Sequence, residues 1–341
     1  MIPDQALPRL PASLGLDNAD PALVADVTDG LARVEGMLTQ VVHSDIAFVN
    51  DAATHLVKAG GKRFRPLFTL LAAKVGGEVT EHVITAAASV ELVHLATLYH
   101  DDVMDEATMR RGSASVNARW DNTIAILTGD FLFAHASGLV ADLGMDAARI
   151  IAETMSVLVT GQMRESVGPL SGDDPVDHYL TVIGQKTGSL IATAGRYGGM
   201  FSGASEECTS ALQRYGDLIG TAFQISDDII DIASPADESG KTPGTDLREG
   251  VLTLPMLYAL SPDHTHDPDP RLRELLGGPI GDDAAVEEAL TLLRKSPALE
   301  QAVQTLTGYA DRARAELVSV PDCPARDALD MLARFVVDRT H

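Results

Sequence analysis

Apolar residues return every three or four positions along almost the whole chain. Leu23, Val27, Leu31, Val34, Leu38, Val41 and Val42 set the pattern, and steps of that size line one face of a helix that turns once per about 3.6 residues. The same period predicts further helices over 46–58, 66–74, 81–105, 122–143, 146–161, 176–199, 206–233, 254–260, 284–295, 297–319 and 325–339. No run alternates with period two, so no strand is predicted. Asp174 before Pro175 reads as an N-cap followed by proline at the first helical position, where a missing N–H is harmless. Gly76-Gly77 and Gly198-Gly199 read as C-terminal stops. The stretch 261–283, rich in Pro, Asp and Gly, reads as a surface loop rather than a domain boundary. Residues 1–22 form a proline-bearing lead, and 23–341 are expected to make a single all-α domain.

Composition narrows the class. With 341 residues, 45% hydrophobic but only 4% aromatic, the chain has enough aliphatic side chain for a large core, which excludes disorder as the main state. A balance of 26 Lys and Arg against 49 Asp and Glu gives a net charge of −23, the wrong sign for a nucleic-acid binder. A phosphate ligand would need local basic clusters. Cys208 and Cys323 are too few for a disulfide framework and have no partner at metal-ligand spacing, so a reducing, cytoplasmic setting is expected. The first residues lack the basic start and apolar run of a secretory signal. The longest apolar stretch, 83–99, is broken by Glu91 and His94 and is shorter than the about 20 residues of a membrane span, so a soluble protein is expected.

Charged residues gather in a few places. Asp101, Asp102 and Asp105 spell D-D-x-x-D at the end of an apolar helix. Residues 101 and 105 lie about 6 Å apart along the axis, close enough for like charges to repel unless a hard cation joins them. A solvated acidic helix end is the plain alternative for one such motif. The device occurs again at Asp227, Asp228 and Asp231, after Phe223, Gln224 and Ile225. Two acidic helices facing across a cavity would suit Mg²⁺ ions bridging a polyphosphate; all-oxygen ligands favour magnesium over zinc. Basic groups stand at Gly60-Gly61-Lys62-Arg63-Phe64-Arg65-Pro66, at Arg110-Arg111-Gly112 and at Lys186-Thr187-Gly188. Arginine forks suit a diphosphate, although each cluster alone also reads as surface charge. His94, seven residues before Asp101, projects within about 20° of the same face; a satisfied core histidine is the alternative. His264 and His266 receive no role, and Met104 and Met109 read as packing.

Together, G-G-K-R-F-R-P, E-L-V-H, D-D-V-M-D with R-R-G, G-Q at 161–162, K-T-G, F-Q-I-S-D-D-I-I-D and G-K-T-P-G-T-D resemble the trans-isoprenyl diphosphate synthase (polyprenyl synthetase) family, from Gly60 to Pro255. The resemblance implies an isoprenoid-synthase helical bundle around a central cavity, usually homodimeric. It implies head-to-tail condensation, in which an allylic diphosphate ionises and isopentenyl diphosphate adds to the cation. Asp101, Asp105 and Asp227 would hold Mg²⁺, with Asp102, Asp228 and Asp231 in support; Arg110, Lys186 and Lys241 would grip the leaving diphosphate. Lys62, Arg65, His94 and Arg111 match the isopentenyl diphosphate positions, and Thr187 and Gln224 match residues that turn oxygen dipoles to the cation. No side chain is an evident general base; in this family the released pyrophosphate is thought to take the proton.

Family members that stop early carry aromatics just before the first acidic motif, whereas Ala96 and Thr97 stand here. Thr97 lies about 40° from Asp101 on the wheel and Ala96 about 140°, so the role of Ala96 rests on the resemblance. Small residues leave room for a medium- or long-chain all-trans product of about C30 to C50, for which a quinone side chain is one destination. Product release implies transient membrane contact. One departure stands at Glu249-Gly250-Val251, where many long-chain relatives have a lysine at the third position; Arg248 is the nearest substitute. Class I terpene cyclases and head-to-head prenyl synthases also carry D-D-x-x-D, but neither needs the cluster at Lys62, Arg65 and Arg111. A non-catalytic regulatory subunit would have no reason to keep both acidic motifs.

Overall fold

The structure, a computed structural model, describes residues 15–16, 18–233, 243–261 and 269–340. It is all-α apart from one two-residue ladder, and it divides into two compact units. The first comprises the chain up to Ser156 with Leu190–Gly216 and Glu316–Leu329; the second comprises Val157–Ser189, Asp217–Ala315 and the chain from Asp330.

In the first unit, α1 (Pro21–Val41) starts where the Asp20 carboxylate accepts the N–H groups of Ala22 and Leu23. It buries Leu23, Val27, Leu31, Val34 and Leu38, the predicted stripe. Helices α2 (Ala47–Lys58), α3 (Phe64–Gly76) and α4 (Glu81–Met104) follow. Burial runs all round α4 from Val83 to Ala96, so it is the central helix, packed against α1, α3 and α6 (Asn122–Asp142). Tyr99, wholly buried, donates its hydroxyl to the Ala52 carbonyl at 2.8 Å and accepts from the Leu56 N–H at 3.2 Å, which ties α4 to α2. A four-residue α5 (Val116–Arg119) precedes α6.

The helices depart from the periodicity in four places. Residues 176–199 are not one helix: α8 (Pro175–Ile183) and α9 (Ser189–Ser202) are joined by a π-helical turn, Gly184–Gly188, which carries Lys186 and Thr187. Gly198-Gly199 is no stop, because α9 runs to Ser202; a Cβ on Gly198 would lie 2.4 Å from the Thr69 carbonyl, so glycine here permits close packing. Met109–Arg110 and Ser113–Ala114 pair as a minimal antiparallel hairpin, turned through Arg111 and Gly112, both at positive φ. Helix α7 (Met145–Val167) passes through Gly161 rather than ending there.

The second unit contains α8, the later part of α10 (Glu206–Ala233), α11 (Thr245–Glu249), α12 (Leu254–Leu260), α13 (Pro270–Leu275), α14 (Asp283–Lys295), most of α15 (Pro297–Glu316) and the end of α16 (Pro324–Asp338). Its late helices close over Leu247, Met256, Leu272, Leu276, Val286 and Leu290. The expected loop 261–283 therefore includes a helix, α13, capped by Asp269 with proline at its start, as at Asp174-Pro175. Val83–Tyr99 is not the most membrane-like stretch: α4 and α6 are both long and apolar enough to cross a bilayer, with most of α4 buried and most of α6 not.

Candidate active site

The first acidic motif ends α4. Asp105 is the C-cap residue and is exposed, and Asp101 is half-buried one turn earlier. Asp102 points inward: it is fully buried and accepts from the Arg110 Nε at 2.6 Å, so it holds Arg110 in place from the adjoining hairpin. Burial pushes the Asp102 carboxyl upward against the pull of Arg110. The other Asp102 oxygen is buried with no hydrogen-bond partner among the described residues.

The Gly60–Pro66 segment folds around a buried ion network that the sequence did not announce. Arg63 takes the left-handed conformation at the start of α3, pairs with Glu35 of α1, donates to Glu91 of α4 at 3.0 Å, and reaches the Val57 carbonyl at 2.9 Å. Burial lowers the affinity of this guanidinium for its proton, and Glu91 with Glu35 more than reverses that. The network pins the loop that carries exposed Lys62 and half-buried Arg65. Arg111 donates to the Gly60 carbonyl, and its guanidinium lies over Gly61, where a Cβ would sit 2.8 Å from Cζ. The Arg65 Nε is buried without a hydrogen-bond partner among the described residues, and burial lowers its pKa to about 10 despite Glu91. His94 is held well below the usual histidine range by burial and by Arg65, Arg111, Arg63 and Arg110, so it stays neutral near pH 7. Arg65, His94 and Arg111 thus share one electropositive corner of the first unit, and Lys62 stands exposed on the same loop as Arg65. Ala96 is fully buried in α4, whereas Thr97 is half-buried and bonds back to the His94 carbonyl.

The second acidic motif lies in the second unit, near the end of α10. Asp227 keeps a carboxylate that is 42% exposed. It accepts from Arg339 at 2.7 Å; Arg339 also donates to Ser226 Oγ and the Phe223 carbonyl and stacks on the Phe223 ring. Asp228 is buried, accepts from the Tyr179 hydroxyl and from the Gln224 amide nitrogen at 3.0 Å, and burial lifts its carboxyl to about 7. Asp231 accepts the N–H groups of Thr245 and Asp246, capping α11. Lys186 pairs with Glu165 of α7 at 2.6 Å, and the Thr187 hydroxyl lies 3.4 Å from the Gln224 amide oxygen. Gly161 lets α7 approach this π-turn, since a Cβ there would meet the Lys186 backbone N at 2.8 Å. Arg248, the substitute considered for Val251, pairs with Asp283. Lys241, His264 and His266 lie outside the described residues.

The carboxylates fit a hard divalent cation in kind. Asp101, Asp105 and Asp227 offer hard oxygen donors at least partly open to solvent. Among the described residues no group of three or more His, Cys, Asp or Glu is placed to hold a metal ion by itself. Glu35, Glu165, Tyr179 and Arg339 carry no local signal in the sequence, and Glu91 reads there only as a break in an apolar stretch.

The polyprenyl synthetase family model matches residues 46–293. The chain is 54% identical over 335 residues to the nonaprenyl diphosphate synthase of Mycobacterium tuberculosis, covering 97% of this chain and 99% of that one. It is 48% identical to a dimethylallyltranstransferase of the same organism, covering 92% and 95%. A geranylgeranyl pyrophosphate synthase from Corynebacterium glutamicum, solved with calcium and isoprenyl diphosphate, superposes with a TM-score of 0.83 at 50% identity, covering 94% and 98%. The chain belongs to the polyprenyl synthetase family and is a prenyl-transferring enzyme.

Proposed function

We propose that this enzyme condenses isopentenyl diphosphate head-to-tail with an allylic diphosphate, using Mg²⁺, to make a medium- or long-chain all-trans polyprenyl diphosphate. The observation that carries the reading is the electropositive corner of Arg65, His94 and Arg111, where the Arg65 Nε is buried with no hydrogen-bond partner among the described residues. A cyclase ionises one diphosphate and discards it; only a condensing enzyme must keep a second one bound. Neutral His94 donates a hydrogen bond there without adding charge.

Mg²⁺ held by Asp101, Asp105 and Asp227 would neutralise charge growing on the leaving diphosphate. Arg110, braced by Asp102, and Lys186 and Lys241 complete that grip, while Thr187 and Gln224 turn oxygens to the allylic cation. Relatives of near-equal identity bear names of different product lengths, so length is assigned from Ala96 and Thr97, to about C30 to C50. A quinone side chain is a fitting destination, and cytoplasmic residence with brief membrane contact at product release follows.

The test is incubation of the purified protein with isopentenyl diphosphate, Mg²⁺ and each short allylic diphosphate, followed by chain-length analysis. A ladder of linear all-trans products is expected; products formed without isopentenyl diphosphate would overturn the reading. A second copy of the chain is the proposed cover for α6, whose apolar surface leaves Ile126 and Leu127 exposed. Sedimentation is expected to give twice the chain mass, falling to one for Leu127→Glu.

A further inference from the structure

Gln224 can meet a carbocation usefully in only one of its two amide orientations. The carbonyl oxygen facing the cation stabilises it; the NH₂ group, with partial positive charge, opposes it. The two orientations have nearly the same shape, so packing alone discriminates weakly between them. Something must read the difference chemically.

Asp228 supplies that reading. One oxygen accepts from the Gln224 amide nitrogen at 3.0 Å and the other from the Tyr179 hydroxyl. Each oxygen of this carboxyl accepts one hydrogen bond in this geometry, and in its ionised form it can face only the NH₂ side of Gln224. The amide oxygen is left on the opposite side, toward Thr187, whose hydroxyl approaches it at a loose 3.4 Å. Tyr179, on α8, is buried and stands about two helical turns before Thr187. Burial and the neighbouring Asp228 raise its pKa well above the ordinary phenol value, so it remains a donor.

We propose that Tyr179 and Asp228 are positioning residues: they lock the Gln224 amide with its oxygen toward the reacting allylic carbon. Asp228 in this role is a brace, not a metal ligand, paralleling Asp102, which occupies the same place in the first motif and holds Arg110. The proposal rests on the reading of Gln224 as a residue that faces the cation.

The test is a double-mutant cycle on the single-turnover rate of the first condensation. Tyr179→Phe removes one hydroxyl and Asp228→Asn removes the acceptor-only character; each is expected to slow the step by about tenfold to a hundredfold, with KM for both substrates within about twofold of wild type. In a Gln224→Leu background, Tyr179→Phe is expected to cost nothing further. An undiminished rate in Tyr179→Phe, or full additivity in the cycle, would overturn the proposal while leaving the condensation itself standing. An unchanged rate in Gln224→Leu would overturn the reading of Gln224 and the proposal with it. Calorimetric titration of Mg²⁺ with inorganic pyrophosphate supplies the readout independent of turnover. Asp227→Asn is expected to weaken binding at least about tenfold and Asp228→Asn to leave it within twofold; equal weakening would make Asp228 a ligand and refute the brace.

Discussion

Asp101→Ala and Asp227→Ala are each expected to slow prenyl transfer by about three orders of magnitude, with the folded state retained. The chemistry sets the size of the effect. Breaking the carbon–oxygen bond leaves growing negative charge on a diphosphate, and charge stabilisation there is the main catalytic lever the chain has, since no side chain stands out as a general base. Fold retention follows from burial. Asp227 is 42% exposed, and its partner Arg339 keeps the Phe223 carbonyl, the Ser226 hydroxyl and the Phe223 ring after the carboxylate is gone. Asp101 is only half-buried at the last turn of α4. Asp102→Ala provides the contrast: it strands Arg110, so its loss is expected to combine lower activity with lower stability. Single-turnover assays paired with thermal melts separate the cases, and full activity in Asp101→Ala or Asp227→Ala would overturn the metal assignment.

What could be read from the chain depends on how local the determinant is. The stripe of α1 and the Asp174 cap are written within a few residues, and the structure has both. The same signature at Asp269-Pro270 was hidden by its Pro- and Asp-rich surroundings, although it caps a helix equally well. Glycine was the systematic trap. Gly161 and Gly198 look like helix ends, yet each serves a close approach from a distant segment, which no local pattern can reveal. The motif residues were legible as a set, but their division of labour was not. D-D-x-x-D does not say that its second aspartate turns inward, because that depends on Arg110 eight residues on and on Tyr179 forty-nine residues back. Glu35 and Glu91 were unreadable for the same reason: only folding brings them to Arg63.

Product length offers the second large effect. Thr97→Phe is expected to shorten the dominant product by several isoprene units with little change in melting temperature. A growing apolar tail must extend away from the diphosphates, and Thr97 lies one turn ahead of Asp101, about 6 Å along α4, with part of its surface open. A phenyl ring at that height occupies space the tail would need, and its own bulk falls outside the packed core. Ala96→Phe tests the neighbouring position, with a different stability signature. Ala96 has no exposed surface, so a ring there must displace core side chains, at a cost of about 1–3 kcal/mol. Shortening in both variants with a stability loss only in Ala96→Phe would place the floor of the product channel at this turn of α4. An unchanged product ladder in Thr97→Phe would remove the basis for assigning a long chain from these two residues, and would move the length determinant elsewhere in the bundle.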